Sequence, residues 1–244
     1  MAKCELILAL DLPERDAALR LLDGLGEPLP IVKIGLQLFT HYGPSIVEDV
    51  AGMGADVFLD LKLHDIPNTV ASAVASLLHL PIRMLTIHGQ GGLEMMQTAQ
   101  EVAAQKPDLK LFGVTVLTSM DRAELAATGV DDSPIDQAVR LARLALEAGL
   151  PGIVCSPREL LMMRDTFGEG GPLYLTPGVR PANSASDDQK RVLTPREAAA
   201  RGANFIVVGR PILKAADPAA VLAEIRRDLD LAADADPAAG GVAQ

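Results

Sequence analysis

Short apolar runs and helical segments alternate along the chain. Eight runs rich in leucine and β-branched residues recur at intervals of about 20 to 35 residues. They are "CELILAL", "PIVKIG", "DVFLDLK", "RMLTIHG", "LKLFGVTVLT", "PGIVCS", "PLYLTPG" and "ANFIVVG". The segments between them, such as "ERDAALRLLDGLG" and "PIDQAVRLARLALEAGL", carry apolar residues at helical spacing. The pattern therefore predicts eight strands separated by helices.

Near-continuous apolar strands joined by helices are typical of a parallel sheet that is covered on both faces. Eight such units in a chain of 244 residues predict an α/β fold, a closed (β/α)8 TIM barrel in a single domain. An open doubly wound sheet is the alternative. We expect the barrel to span residues 1–230. Residues 231–244, which are mostly small or acidic, are expected to form a flexible C-terminal tail.

One predicted strand carries charges in an otherwise apolar run. In "VFLDLKLHDIPNTV", residues 57–70, alternation puts Phe58, Asp60 and Lys62 on one face and the leucines on the other. If the leucines pack against the helices, the charges point into the barrel. Burying an isolated charge costs several kcal/mol, so folding alone does not require this arrangement. A purely structural salt bridge between Asp60 and Lys62 is the alternative to a catalytic role.

Other predicted strands also end in polar residues. Asp11 closes the first strand, Lys33 interrupts the second, Thr118 and Ser119 end the fifth, and Arg210 follows the eighth. Taken singly, Asp11 could cap a helix and Lys33 could lie on an edge. Because barrel enzymes of this type place their active sites at the carboxyl ends of the strands, the set as a whole predicts an active site there.

Composition limits the classes of partner. Asp and Glu number 32 against 22 Lys and Arg, the net charge is −10, and aromatic residues make up 3%. Nucleic-acid binding favours a basic face and stacking rings, so we expect no nucleic-acid partner. An anionic small substrate remains compatible, because a few local cations can hold a phosphate.

Other signals favour a cytoplasmic protein with no metal or nucleotide cofactor. Cys4 and Cys155 have no metal or redox spacing and are expected to be reduced thiols in the core. The first apolar run is too short for a signal peptide, and no run approaches the roughly 20 residues of a membrane span. The four histidines lack paired metal spacing, and neither "GQGG" nor "GEGG" completes a dinucleotide or P-loop pattern.

Several of these motifs together resemble one enzyme family. The "DLKLHDIPNTV" run is similar to the D-x-K-x-x-D-I-P-x-T signature of the orotidine 5′-phosphate decarboxylase family. In chain order, "LALD", "VKIG", "VTVLTSM", "TPGVRP" and "VVGRPI" extend the resemblance over roughly residues 5–215. A group of sugar-phosphate decarboxylases shares D-x-K-x-x-D, but the full set in order is highly specific.

The resemblance implies decarboxylation of orotidine 5′-phosphate to uridine 5′-phosphate, the last step of de novo UMP biosynthesis, without a cofactor or a metal. With nothing else to accept the electron pair left at C6, fixed charges must stabilise it, and Lys62 is the candidate cation and proton donor. The resemblance also implies a homodimer whose active site is shared across the interface. The implied catalytic residues are Lys33, Asp60, Lys62 and Asp65.

The resemblance further implies a set of substrate contacts. Asp11 and Lys33 are expected to contact the ribose hydroxyls, and Thr69 of the partner subunit is expected to add a further contact there. Thr118 and Ser119 are expected at the edge of the pyrimidine. A glycine that admits an anion and an arginine that forms two hydrogen bonds suit a phosphate. The full predicted set is Asp11, Lys33, Asp60, Ile66, Thr69, Thr118, Ser119, Arg180, Gln189, Gly209 and Arg210.

Two rival hypotheses remain open. A metal-dependent 3-keto-gulonate-phosphate decarboxylase would carry an acidic metal ligand where this chain has Lys33, and a protonated lysine does not bind Mg²⁺. A non-catalytic phosphonucleotide-binding barrel would need Arg210 and Gln189 but not Lys62.

Overall fold

Eight parallel strands form a closed barrel in the computed structural model of the protein, which describes residues 3–181 and 193–234. Each strand pairs with the next, and the eighth pairs with the first. The predicted (β/α)8 barrel is therefore confirmed, and the open-sheet alternative is wrong. The strands are β1 (Glu5–Ala9), β2 (Ile31–Gly35), β3 (Val57–Leu63), β4 (Ile82–His88), β5 (Lys110–Val114), β6 (Gly152–Val154), β7 (Leu173–Pro177) and β8 (Phe205–Val208).

Helices surround the barrel and cover its outer face. Several begin with a proline in the first turn, where no backbone hydrogen bond is lost. The helices are α1 (Arg15–Leu25), α2 (Leu36–Tyr42), α3 (Pro44–Gly52), α4 (Pro67–Leu77), α5 (Gly92–Ala103), α6 (Arg122–Ala127), α7 (Pro134–Glu147), α8 (Leu160–Phe167), α9 (Pro195–Ala200), α10 (Arg210–Leu213) and α11 (Pro218–Asp234).

The barrel separates two apolar clusters. A large outer cluster lies between strands and helices, and a smaller inner cluster fills the barrel with side chains such as Ile7, Phe58, Phe112 and Phe205. On β3, Phe58 belongs to the inner cluster, whereas Leu59 lies in the outer one. The face alternation predicted for this strand is thus confirmed at its apolar positions. Because Phe58 and Phe112 are at most 1% exposed, the inner cluster closes the barrel beneath its carboxyl end.

The end of the chain is helical as far as it is described. Helix α11 runs to Asp234, four residues past the predicted boundary at residue 230, and the predicted tail from residue 235 onward lies outside the described residues. The predicted packing of the cysteines is confirmed, since Cys4 and Cys155 are buried free thiols and burial raises the pKa of both. Among the described residues, no helix has the length and apolar character needed to cross a bilayer.

Candidate active site

A cleft of about 920 Å³ opens at the carboxyl ends of the strands. Its walls come from Lys33 on strand β2 and from the segments after strands β1, β5, β6, β7 and β8, so residues distant in sequence meet there. Seven of the predicted site residues line it: Asp11, Lys33, Thr118, Ser119, Arg180, Gly209 and Arg210. The predicted location of the polar strand ends at one face is therefore confirmed.

Four charged side chains form an alternating chain at the mouth of the barrel. The Lys33 Nζ atom lies 3.1 Å from Asp11 Oδ1 and 3.5 Å from Asp60 Oδ2. The Lys62 Nζ atom lies 2.8 Å from Asp60 Oδ1 and 2.9 Å from Asp60 Oδ2. The order is carboxylate, ammonium, carboxylate, ammonium, and Asp60 sits between the two cations.

The surroundings of Asp60 keep it ionised. Burial alone would raise the pKa of this carboxyl, but the charges of Lys33 and Lys62, with hydrogen bonds from Lys62 and Thr86, outweigh burial and lower the pKa. The Asp60 side chain is therefore held as a carboxylate.

The backbone of β3 is irregular where it carries the charges. Pairing with β4 jumps from Leu59 opposite Leu85 to Leu63 opposite Ile87, so residues 60–62 face the single residue Thr86. Lys62 has φ of 49°, a left-handed conformation that is uncommon for a residue with a side chain. Strained backbone of this kind costs about 1–3 kcal/mol and clusters at functional sites.

Two glycines leave space beside the row of charged side chains. A Cβ atom at Gly35 would stand 3.0 Å from Lys33 Nζ and 3.3 Å from Asp11 Oδ1. A Cβ atom at Gly209 would stand 3.2 Å from the Cβ of Ala9 on the neighbouring strand. The absence of a side chain at these positions lets the ion pair and the β8 end approach closely.

Three predicted residues lie apart from this cluster within one chain. Asp65, Ile66 and Thr69 follow β3 and are exposed, Ile66 by 66%. The Asp65 carboxylate accepts a hydrogen bond of 2.7 Å from the backbone N–H of Ile66. Within the described part of a single chain, no contact joins Asp65 to Lys62.

The cationic end of the cleft lies after β7 and β8. Arg210 is exposed and begins α10 directly after Gly209, and Arg180 follows β7. The backbone N–H of Arg180 donates to the carbonyl of Leu193, 3.1 Å away, across the base of the intervening segment. Gln189 belongs to residues 182–192, which lie outside the described residues.

The histidines nearest the site form a stacked pair. The rings of His64 and His88 lie 5.3 Å apart between centroids, at an interplanar angle of 23°. Burial, and then the charges of His64 and Lys62, lower the pKa of His88. In the part of the chain that the structure describes, no group of three or more His, Cys, Asp or Glu side chains could hold a metal ion.

Sequence reasoning missed two residues at this site. Gly35 stands in the "VKIG" run, but the run does not reveal that a side chain there would collide with Lys33. The sequence does contain a signal for Thr86, because it is the one hydroxyl residue in the apolar "RMLTIHG" run. Its importance depends on the strand pairing, which the sequence does not display.

Comparison with known proteins agrees with the geometry. The sequence model of the "Orotidine 5'-phosphate decarboxylase / HUMPS family" matches residues 5–225. A protein of Opitutus terrae named orotidine 5'-phosphate decarboxylase is 52% identical over 227 residues, covering 93% of this chain and 98% of that protein. A Pseudomonas putida protein of the same name is 49% identical over 234 residues, covering 93% of this chain and 100% of that protein.

Solved structures give the same answer. The crystal structure of orotidine 5'-phosphate decarboxylase from Lactobacillus acidophilus superposes with a TM-score of 0.83 at 35% identity, covering 93% of this chain and 99% of that one. An uncharacterized conserved protein of Geobacillus kaustophilus superposes with a TM-score of 0.80 at 34% identity, covering 92% and 99%. With a closed barrel, an alternating charge chain at its mouth and relatives that match nearly end to end, this chain belongs to the orotidine 5'-phosphate decarboxylase / HUMPS family.

Proposed function

We propose that this protein decarboxylates orotidine 5′-phosphate to uridine 5′-phosphate, the last step of de novo UMP biosynthesis. The observation that carries the proposal is the Asp60–Lys62 pair, with Lys33 behind it, at the open end of the barrel. The curated relatives at about half identity are named for this activity.

The reaction breaks the bond between C6 of the pyrimidine and its carboxylate carbon. Carbon dioxide leaves without the bonding electrons, which stay on C6 as a carbanion. The Lys62 ammonium stabilises this charge and then transfers a proton to C6, so that a C–H bond replaces the C–C bond and Lys62 becomes a neutral amine. A cation fixed before the charge develops needs no reorganisation during the reaction, which is the main benefit of such a site.

The other members of the charged chain position Lys62. Asp60 holds the ammonium through two contacts, and Lys33 supports Asp60 from the opposite side. Asp60 also lies where it can repel the substrate carboxylate that is lost. The four charged side chains thus supply both the proton donor, Lys62, and the residues that hold it in place. The proposed reaction therefore uses no cofactor.

The remaining predicted residues bind the groups that do not react. We assign Asp11 and Lys33 to the ribose hydroxyls, and Thr118 and Ser119, exposed in the cleft wall, to the edge of the pyrimidine. The phosphate is assigned to the cationic end of the cleft. Its proposed ligands are Arg180, Gln189, Gly209 and Arg210.

We also propose that two copies of the chain share each active site. Asp65, Ile66 and Thr69 are exposed beside the cleft, and Ile66 and Leu36 are large apolar side chains exposed by 66% and 56% near the same strand ends. Burial of such side chains in an interface is favourable. In a homodimer, Asp65 of one subunit would extend the charge chain of the other.

The proposal includes action in the cytoplasm. Two buried free thiols, Cys4 and Cys155, suit a reducing compartment.

The metal-dependent rival is disfavoured by the position of Lys33. Its ammonium pairs with both Asp11 and Asp60, whereas a hard divalent cation binds oxygen ligands and would be repelled by it. Full activity in excess chelator is the expected result. Complete loss of activity would favour the metal-dependent rival.

Replacement of Lys62 tests the proposed function directly. The loss of orotidylate ultraviolet absorbance is followed for the wild type, for Lys62→Ala and for the control Lys110→Ala. Lys110 is an exposed lysine at the amino end of β5, whereas the cleft lies at the carboxyl ends of the strands. We expect Lys62→Ala to lose many orders of magnitude in kcat with an unchanged circular dichroism spectrum, and the control to match the wild type. An inactive wild type would refute the function, and an active Lys62→Ala would remove Lys62 from the mechanism. The non-catalytic rival predicts nucleotide binding without turnover in every variant.

A further inference from the structure

Thr86 lies opposite the irregular part of β3. It is 0% exposed, and it is the one β4 residue between the paired positions Leu85 and Ile87, where β3 has residues 60–62. A strand with extra residues leaves some of its backbone groups without a partner in the ladder. Thr86 therefore faces the segment of β3 that carries both members of the Asp60–Lys62 pair.

The Thr86 hydroxyl bonds to both residues at once. Its Oγ1 atom lies 2.9 Å from the backbone nitrogen of Lys62 and 2.8 Å from Asp60 Oδ1. A backbone N–H can only donate, so the hydroxyl oxygen accepts from Lys62 and its own hydrogen is free for the carboxylate. One side chain thus fixes the backbone of the proton donor and the orientation of its counterion.

The conformation of Lys62 makes this support necessary. With φ of 49°, Lys62 occupies a region that a side chain disfavours and that persists only where the surroundings enforce it. The bond from its N–H to Thr86 is part of that enforcement. Without it, a backbone that relaxes toward ordinary strand geometry would turn the Lys62 side chain away from Asp60.

We infer that Thr86 is a positioning residue for decarboxylation, which holds the Lys62 ammonium and the Asp60 carboxylate in register through a single bridging hydroxyl. This inference rests on the proposed function for its kinetic consequence. Thr86 itself does not touch the reacting atoms; it acts through the two residues that do. The role belongs to the hydroxyl and not to the bulk of the side chain.

Two substitutions separate the hydroxyl from the volume it fills. Thr86→Val keeps the shape and removes both hydrogen bonds, and Thr86→Ser keeps the hydroxyl and removes a methyl group. Small misplacements of a catalytic group can cost about 10²-fold in rate. We expect kcat to fall by about 10²-fold in Thr86→Val, with KM changed by less than about threefold, and Thr86→Ser to retain kcat within about fivefold of the wild type.

Thr115→Val is the matched control. Thr115 is 1% exposed directly after β5, and its hydroxyl donates to the backbone carbonyl of Val154, 2.8 Å away, rather than to a charged side chain. The change also deletes a buried hydroxyl near the same end of the barrel, so it should lower the melting temperature in the manner of Thr86→Val. We expect its kcat to equal that of the wild type.

Amide hydrogen exchange at Lys62, measured by NMR, tests the geometry without reference to activity. We expect protection of this amide in the wild type and in Thr86→Ser, and its loss in Thr86→Val. Unchanged protection in Thr86→Val would overturn the inference, as would a wild-type kcat in that variant or equal losses of kcat in the valine and serine variants. If Thr86→Val does not fold, the inference is tested with Thr86→Ser, which keeps the hydroxyl. Loss of both the amide protection and kcat in the serine variant would refute a role for the hydroxyl. A wild type that shows the exchange pattern but does not turn over orotidylate would refute the proposed function and leave the positioning of Lys62 by Thr86 intact.

Discussion

The Asp60 carboxylate has a cation on each side, so its charge depends on both. Lys62 lies 2.8 Å away and Lys33 lies 3.5 Å away. Burial opposes ionisation, and the two ammonium groups with the Thr86 hydroxyl overcome it, which lowers the pKa. The Asp60 carboxyl therefore stays ionised to a lower pH than an ordinary aspartate does.

Removal of one cation should move the pH dependence of the reaction. In Lys33→Gln we expect the pKa of Asp60 to rise, because the burial penalty remains while one compensating charge is gone. The acid side of the kcat/KM profile should then shift to higher pH, and kcat/KM near neutrality should fall by about 10²- to 10³-fold. Lys110→Gln serves as the control, with no shift. If the acid side of the kcat/KM profile of Lys33→Gln lies at the same pH as in the wild type, titration of Asp60 does not cause the loss of activity at low pH.

The same lowered pKa has a consequence for stability. A carboxyl with a depressed pKa in the folded state stabilises the fold above its unfolded pKa, about 3.9 for Asp. That contribution is lost as the pH falls through the folded value. The contribution of Asp60 should therefore be present in full at neutral pH.

Gly35 controls the position of Lys33. In Gly35→Ala the new Cβ would stand 3.0 Å from Lys33 Nζ, so the flexible end of the lysine must move away from Asp11 or Asp60. We expect kcat/KM to fall by about tenfold or more, with little change in melting temperature. Gly52→Ala, where nothing lies within 4 Å of the new atom, should keep wild-type activity. Equal activities of the two variants would contradict the close approach described for Gly35.

At the scale of elements, the inner apolar cluster supports the site from below. The rings of Phe112 and Phe205 meet edge to face with 5.9 Å between centroids. Gly152 leaves room for the Phe112 ring, because a Cβ atom at that position would collide with it. The inner apolar cluster, which acts as a plug in the barrel, holds in place the strands that carry the charged side chains.

Truncation of the plug should cost stability first. Phe112→Ala removes a side chain that is 0% exposed, and we expect a loss of about 3–5 kcal/mol in the free energy of unfolding. Phe167→Ala, at a half-buried ring beside the Arg143 guanidinium, should lose less. Urea denaturation of both variants measures the difference, and equal losses would argue against a tightly packed barrel interior.

The elements also show what a sequence can and cannot predict. The eight strands and the inward face of Phe58 follow from apolar runs and two-residue alternation, which are local patterns. The irregular pairing of β3 does not, because it arises from shifts in register between β3 and β4 that only the pairing of the two strands reveals. Thr86 and Gly35 escaped notice for the same reason: each matters through a neighbour that is remote in sequence or hidden by the fold.

At the scale of the whole molecule, the proposed shared site can be tested with hybrid dimers. Lys62→Ala and Asp65→Asn are each expected to be nearly inactive. In a hybrid of the two chains, one site has both defects and the other has neither, because each site takes Lys62 from one subunit and Asp65 from the other. A refolded equal mixture should regain about one quarter of wild-type activity. Activity equal to the mean of the two variants would mean that Asp65 does not act across an interface, and a light-scattering mass of 25.7 kDa would exclude the dimer itself.

The unequal exposure of the two ammonium groups bears on repeated turnover. In the proposed reaction, Lys62 gives its proton to the product and must take up another from water before the next cycle. The Lys62 side chain is 34% exposed, whereas that of Lys33 is 10% exposed beneath Asp11 and Asp60. Departure of the product would therefore open a direct route from solvent to the Lys62 side chain, while the Lys33 side chain stays shielded from solvent in its ion pairs with Asp11 and Asp60.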